Sequence, residues 1–515
     1  MYNIVKSGAV RGVECYLIDV ETDCADGLPY FTMVGFAGTE VREAGERVRV
    51  AMRNSGYRMD PKRITVNLAP ANIPKRGIVI DLPVALGLLM AMGEIPRLDP
   101  ARVLVLGELG LDGEIRPVRG ALVTVRMAAR QKIPLCILPE ENLAEGCVIP
   151  GIDCAGVSTL RELVAFLNAP AEEQRRKIAL QRKRTEVSIA RAKVLERRRG
   201  TDLSAIRGQE DACRALEIAA AGFHNLYMEG PPGNGKSLLA SCLPGILPKL
   251  GEEEALEVSE IYSAAGRIPS GTGLIRTRPF IAPHHTITRA ALIGGGSVPG
   301  PGAISLAHGG VLFLDEMPEF SRTTLDLLRQ PLEEREIRIT RNYGTYRFPA
   351  RFLLVGAGNP CPCGYYPDLN RCRCSEKERR RYRQHLSGPL MDRMDMRIHV
   401  RVTGVEEMQA GAAAGPSRSE AVRKRVEAAA ERQLYRYRWA GIRFNAELDA
   451  EGTERWCRLN AEGERCMRDL CGRSTVSARG YHRILRIART IADLDGAEEI
   501  RTEDLMEAFR LRGTE

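Results

Sequence analysis

The stretch "YMEGPPGNGKSLLA", residues 227–240, decides how the middle of this chain folds. Within it Gly230, Pro231, Pro232, Gly233, Asn234, Gly235, Lys236 and Ser237 follow the spacing G-x-x-x-x-G-K-[ST]. Such a loop turns successive backbone N–H groups inward, and its glycines let the chain pass close to a polyanion. Lys236 adds a cation, and Ser237 offers an oxygen to a divalent metal. The pattern predicts a strand, a phosphate-wrapping loop and a helix, with ATP and Mg²⁺ as ligands.

Other segments supply what this loop lacks. "VLFLDE" at 311–316 is an apolar run ending in two acids. A buried strand there brings Asp315 to the metal and leaves Glu316 to orient an attacking water. "RFLLVGAGN" at 351–359 is a second apolar run, and Asn359 at its end is a candidate to hold that water or the γ-phosphate. "SGPLMDRMD" at 387–395 sets Arg393 between acids. A lone arginine so placed reads as a surface ion pair. Beside the other three elements it becomes a candidate to act on a neighbour's γ-phosphate, which implies a ring with sites between subunits.

The bulk composition allows this chemistry. At 515 residues the chain is too long for one core. An apolar share of 44% and a charged share of 27% are those of an ordinary globular protein. The net charge of +9 permits a polyanionic partner without requiring one. Fourteen scattered cysteines fit a reducing compartment better than a disulfide framework. "MYNIVKSGAVRG" lacks a signal peptide's apolar run, and "LPVALGLLMAMG" is too short to span a bilayer. The expectation is a cytoplasmic protein without a membrane partner.

Four segments are expected. Residues 1–165 alternate strand and helix signals and predict an α+β domain. "RITVNL" has strand periodicity in Ile64, Val66 and Leu68, and Val41, Ala44, Val48 and Met52 share a helical stripe. "VLVLGELGLDGEIRPV" predicts a hairpin about Asp112-Gly113, and Thr159 with Glu162 has capping-box spacing. Residues 166–200 read as a basic linker, with eleven Lys/Arg against four Glu between 171 and 199. Its charge suits a solvated connector or a nucleic-acid contact. Residues 201–402 form the α/β nucleotide core. Residues 403–515 are mostly helical, and "YHRILRIARTIADL" puts Ile484, Ile487, Ala488, Ile491 and Leu494 on one face with arginines on the other.

Taken together, the phosphate loop, "LFLDE", "GNPCPCG" and "SGPLMDRMD" resemble an AAA+ ATPase of the magnesium-chelatase-like group, specifically the ComM/YifB family. "APHHT", "ALIGGGSVPGPGAISLAHGGVLFLDEMPEF" and "ARTIADL" are similar to that family's most specific stretches, so the resemblance covers nearly the whole chain. It implies a multidomain α/β protein with a Lon-protease-like (S5 domain 2-like) N-terminal domain, an AAA+ core with an extra insert and hairpin, and a helical C-terminal lid. It further implies hexameric rings and an activity on DNA, the family including a branch-migration helicase. By resemblance Arg393 is the arginine finger and Arg479 is sensor 2, with Arg483 a rival, while Ile206 and Gln209 border the adenine. A chelatase-type motor and an ATPase remodelling a protein partner share the same core and stay open.

The Lon-like resemblance raises a protease expectation that the residues answer. A Ser-Lys protease needs a serine nucleophile and an activating lysine. No serine stands between Ser55 and Ser158; Asp81 falls near the nucleophile's place, and "IRPVRGALVTV" has no lysine. The N-terminal domain is therefore expected to be structural or recognitive.

Three further features invite chemistry. Cys361, Cys363, Cys372 and Cys374 form two C-x-C pairs that suit either a structural zinc ion or unligated thiols in a turn. His284-His285 lacks a third ligand nearby and reads as structural. "REIRITRNYGTYRFPARF" predicts a hairpin with Arg341, Tyr343 and Arg347 about its tip. It is either an ordinary exposed hairpin or a DNA track of basic and aromatic side chains.

Overall fold

The computed structural model describes residues 2–34, 39–59, 61–70, 80–196, 201–341, 344–404, 417–472 and 476–513. Two larger sheets organise them. The first has seven strands in the order Tyr30–Val34, Arg63–Ala69, Glu14–Ala25, Tyr2–Arg11, Val103–Val105, Leu135–Pro139 and Asp153–Val157. Tyr2–Arg11 pairs antiparallel with Glu14–Ala25, and the strands from Val103 onward add in parallel.

Strand alternation divides this sheet's two faces. Val105 and Ile137 enter one core with Ile64, Val66, Leu68, Val48 and Met52. Leu104, Cys136 and Leu138 enter the opposite core with Leu122 and Val125. The helix Asp81–Met92 is buried over Asp81 to Met90, which explains its lack of a polar face. The predicted hairpin is short, Glu108–Leu109 against Ile115–Arg116, with Gly113 at φ 85° in its turn. Thr159 caps Leu160–Asn168 by accepting from Glu162 N. The returning Glu162 carboxylate accepts from Ser158 N instead of Thr159 N.

The basic segment is a helix, Ala171–Glu196. Gln181 pins it to the first sheet by donating to Gly156 O and accepting from Gly156 N. Lys177 adds an ion pair with Glu162 at 2.7 Å. Farther along, Ser188 and Ile189 stand against Gly271 and Gly273. The helix therefore touches both the first sheet and the loop before the second.

The second sheet is wholly parallel, in the order Phe280–Ile281, Val311–Leu314, Leu353–Gly358, Leu226–Glu229 and Met396–His399. Val311–Leu314 and Leu353–Gly358 are buried along their length, which is why they read as unbroken apolar runs. The strands end side by side at Glu229, Leu314 and Gly358, so the segments that follow share one edge. Ligands of open α/β sheets bind at such carboxyl ends.

The last named strand among the described residues is Met396–His399. Helices Arg418–Tyr437, Ala478–Asp495 and Thr502–Arg512 share a core with Glu210–Gly222. In Ala478–Asp495 the apolar face is buried as expected, but Arg483 and Arg489 are buried too. Arg489 spans Asp493 at 3.2 Å and the carbonyls of Ala497 and Glu498 at 2.7 Å. Those partners, not solvent, hold its charge.

Candidate active site

The phosphate loop leaves Leu226–Glu229 and enters the helix Lys236–Ile246. Gly230 packs so tightly that a Cβ would lie 2.4 Å from Val400 O, and Asn234 Nδ2 donates to the same carbonyl at 3.2 Å. Gly233 and Gly235 adopt φ of 81° and 77°, and a Cβ on either would meet nothing within 4 Å. The open side they face is a cavity of 210 Å³ lined by residues 232–238 with Asp315, Glu316, Gly358 and Asn359. A helix N-terminus adds its positive end to that cavity.

Lys236 Nζ donates to Gly230 O at 2.7 Å, Pro231 O at 2.8 Å and Asn359 Oδ1 at 3.3 Å. Burial lowers its pKa against the pull of Asp315 and Glu316. Ser237 Oγ donates to Asp315 Oδ2 at 2.6 Å, so the two oxygens expected to hold Mg²⁺ already meet. Asp315 Oδ1 accepts from Glu316 N at 2.9 Å. Glu316 sits at φ 48°, a left-handed backbone that a non-glycine residue seldom adopts, and its side chain is exposed. This donor set fits a nucleotide triphosphate with a hard divalent cation.

His285, expected to be structural, stands beside this set. Its Nδ1 is 3.7 Å from Glu316 Oε2, and its ring lies 4.1 Å from that of His284. Nothing in the local spacing around residue 285 points to residue 316. Ile206 and Gln209 fall outside the cavity lining: Ile206 is buried in the large core, and Gln209 donates to Arg401 O at 2.6 Å.

Arg393 is not at this cavity. It donates to Pro389 O at 2.5 Å and pairs with Glu333. With Arg479, Arg483 and Arg486 it lines a second cavity of 340 Å³, which shares no lining residue with the first. Asp395 anchors that wall: it lies 3.4 Å from Arg483 Nε, near Arg486 and His224, and accepts from Asn225 N at 3.0 Å. Burial opposes its charge, yet His224, Arg486 and Arg483 hold its carboxyl at about 2. Burial lowers Arg483 to about 10, still protonated at neutral pH, so the pair is ionised.

The predicted hairpin is present as Glu336–Arg341 against Gly344–Pro349, with Ile337, Ile339, Tyr346 and Phe348 buried. Tyr343 lies outside the described residues. Arg341 and Arg347 are exposed, and Arg347 is cross-strand from Arg338 on the outer face. The first sheet reaches this element: Arg11 Nη2 donates to Thr345 O at 3.0 Å, and a Cβ on Gly12 would lie 2.7 Å from Arg347 O. Arg11 thus joins the basic group, although nothing in the sequence relates it to residue 345.

Asp81, near the expected place of a protease nucleophile, is fully buried and held by Arg47 Nε and Nη2, each at 3.1 Å. Burial raises it to about 6 against that pairing. The sulfurs of Cys361, Cys363, Cys372 and Cys374 all lie within 4.8 Å of one another, a set that could hold one metal ion.

Comparison with known proteins agrees with this arrangement. Residues 202–408 match the family described as magnesium chelatase, subunit ChlI, residues 20–142 match subunit ChlI of Mg-chelatase, and residues 416–512 match its C-terminal part. The chain is 41% identical to YifB of Escherichia coli over 510 residues, 99% of this chain and 97% of the relative. It is 40% identical to the competence protein ComM of Haemophilus influenzae over 509 residues, again 99% and 97%. The chain belongs to the ComM/YifB family of magnesium-chelatase-like proteins. The ComM/YifB core is of the AAA+ ATPase type, which accounts for the phosphate loop and its acidic strand. The 38 kDa magnesium-chelatase subunit of Rhodobacter capsulatus is 29% identical over only 30% of this chain and 49% of the relative. No helix among the described residues is long and apolar enough to cross a membrane.

Proposed function

We propose that this chain is an ATP-driven motor that closes into a hexameric ring and moves DNA, acting as a branch-migration helicase. In this reading residues 1–165 are an inactive Lon-like domain, 166–200 the basic connector, 201–402 the AAA+ core and 403–515 the helical lid. The observation that carries it is the division of the catalytic set. Lys236, Ser237, Asp315, Glu316 and Asn359 serve one cavity, whereas Arg393 and Arg479 serve another with no residue in common. One chain therefore holds two half-sites, and a head-to-tail ring is the closed arrangement that joins them at every interface.

Each residue then has a defined task. The loop's N–H groups and Lys236 bind the phosphates, and Ser237 with Asp315 would hold Mg²⁺, which would supply charge neutralisation for the transferred phosphoryl group. Glu316 accepts the proton of the attacking water, and Asn359 positions that water while touching Lys236. Arg393, with Arg479 or Arg483 behind it, meets the charge developing on the neighbour's γ-phosphate.

DNA as the cargo is supported by the outward Arg341 and Arg347, by Arg11 beside them, and by the net charge. Metal insertion is the weaker reading, because the likeness to the chelatase subunit covers 30% of the chain against 99% for ComM. ATP turnover measured alone and with single-stranded, duplex and four-way-junction DNA tests the cargo. Stimulation by DNA is expected, and it should fall steeply with salt, with a log–log binding slope of about −0.9 per duplex phosphate contacted. Arg341→Ala with Arg347→Ala should abolish that stimulation and spare basal turnover. Stimulation by a protein partner but by no DNA would shift the cargo to proteins.

A further inference from the structure

Residues 360–374 leave the strand Leu353–Gly358 just after Asn359 and return at the cap of the helix Glu376–Arg383. Three of their sulfur pairs lie close together: Cys361 to Cys363 at 3.4 Å, Cys361 to Cys372 at 3.7 Å and Cys363 to Cys372 at 3.6 Å. Four sulfurs about 2.3 Å from one central zinc stand about 3.8 Å apart at the edges of a tetrahedron. The observed spacing matches those edges for three sulfurs, and Cys374 Sγ lies within 4.8 Å of the rest. It is too wide for a disulfide, whose sulfurs stand about 2.05 Å apart. An iron–sulfur cluster would place its own inorganic sulfides between the thiolates and spread them.

The backbone is folded around the sulfurs. Gly364 N donates to Cys361 O at 2.9 Å, and Cys372 N donates to Asp368 O at 2.8 Å. Cys361 and Cys372 are buried, so the inner half of the set is shielded from water. Four thiolates on a dication carry a net charge of −2, and Arg371 and Arg373 alternate with the second cysteine pair. Arg371 also stacks on Tyr365, 4.0 Å from its ring centre.

The same loop touches the nucleotide site. Gly364, at φ 83°, packs so closely that a Cβ would lie 2.6 Å from Pro232 Cδ and 3.6 Å from Asn359 Cγ. Pro232 belongs to the phosphate loop, and Asn359 bonds Lys236. Whatever fixes residues 361–374 therefore fixes one wall of the phosphate cavity.

We propose that Cys361, Cys363, Cys372 and Cys374 bind one zinc ion, and that this ion maintains nucleotide affinity by holding Gly364 against Pro232 and Asn359. The second half rests on the nucleotide reading of that cavity. The full chain, purified without chelator, should carry about one zinc per chain by elemental analysis. Cys361→Ser with Cys372→Ser should lose the metal and bind a fluorescent ATP analogue at least about tenfold more weakly, a loss of about 1.4 kcal/mol. Because that variant can fail to fold, Gly364→Ala supplies the second arm. It keeps all four thiols and should keep zinc, yet its Cβ intrudes on Pro232 and should weaken nucleotide binding to a similar degree. Absence of stoichiometric metal, or iron in its place, overturns the zinc site. Full zinc with unchanged nucleotide affinity in Gly364→Ala overturns the coupling. A zinc-loaded wild type that binds no nucleotide overturns the nucleotide reading and with it the coupling, leaving the metal site standing.

Discussion

Replacing Arg393 with alanine is expected to cut ATP turnover by about 10³-fold or more while leaving ATP binding intact, as for arginine fingers supplied in trans. The structure gives the reason for both halves. Arg393 touches nothing in the phosphate cavity, so its removal spares the groups that bind nucleotide. Its guanidinium is held by Glu333 and Pro389 O on the wall of the other cavity, and in the proposed ring the turnover is lost from the neighbouring site that this arginine would complete. Mixing Arg393→Ala subunits with Glu316→Gln subunits should recover part of the turnover, because some interfaces then pair an intact glutamate with an intact arginine. Turnover at the wild-type rate by a protein that stays monomeric with ATP would refute the shared site.

The Glu316→Gln change is the second large effect. Its turnover should fall by about 10²- to 10⁴-fold, the usual contribution of a positioned general base, with ATP still bound. Asp315 keeps its bonds to Ser237 Oγ and to the backbone N–H of residue 316, so the metal ligands stay in place. The amide is nearly isosteric but accepts no proton from water at neutral pH. Single-turnover hydrolysis beside equilibrium nucleotide binding separates the two quantities. Unaltered hydrolysis would remove Glu316 from the chemistry.

Much of the nucleotide site was legible because its parts sit at the ends of buried parallel strands. Such strands are apolar on both faces, so "VLFL" and "LLVGAG" stand out, and the first polar residue after each is the one the sheet edge presents. The helix face of Ile484, Ile487 and Ile491 was legible from period alone. What stayed hidden depends on partners distant in sequence. Burial of Arg483 and Arg489 needs Asp395 and Asp493 as counter-charges, and helical periodicity reports only where apolar residues fall. The closeness of His285 to Glu316 arises from packing, as does that of Arg11 to the hairpin. The docking of the basic helix turns on Gln181, one polar residue in a charged run whose composition suggests a solvated connector.

The sequence offers Arg393 from its place among the nucleotide motifs and Arg479 from the family resemblance, as two separate roles, and does not indicate the cavity they share. Neither side chain has a local pattern that names the other. Their meeting place is built by segments from Phe223 to Arg486, so it exists only once the sheet and the terminal helices have packed.

The central claim is that ATP hydrolysis by this chain moves DNA. It is tested most directly by incubating the full-length protein with a labelled four-way junction of movable arms and following strand exchange with time. With ATP and Mg²⁺ at low salt, the junction should be converted to its two duplex products, and neither a non-hydrolysable analogue nor the Glu316→Gln protein should support the conversion. A junction that is bound while ATP is consumed, yet never migrates, would contradict the claim.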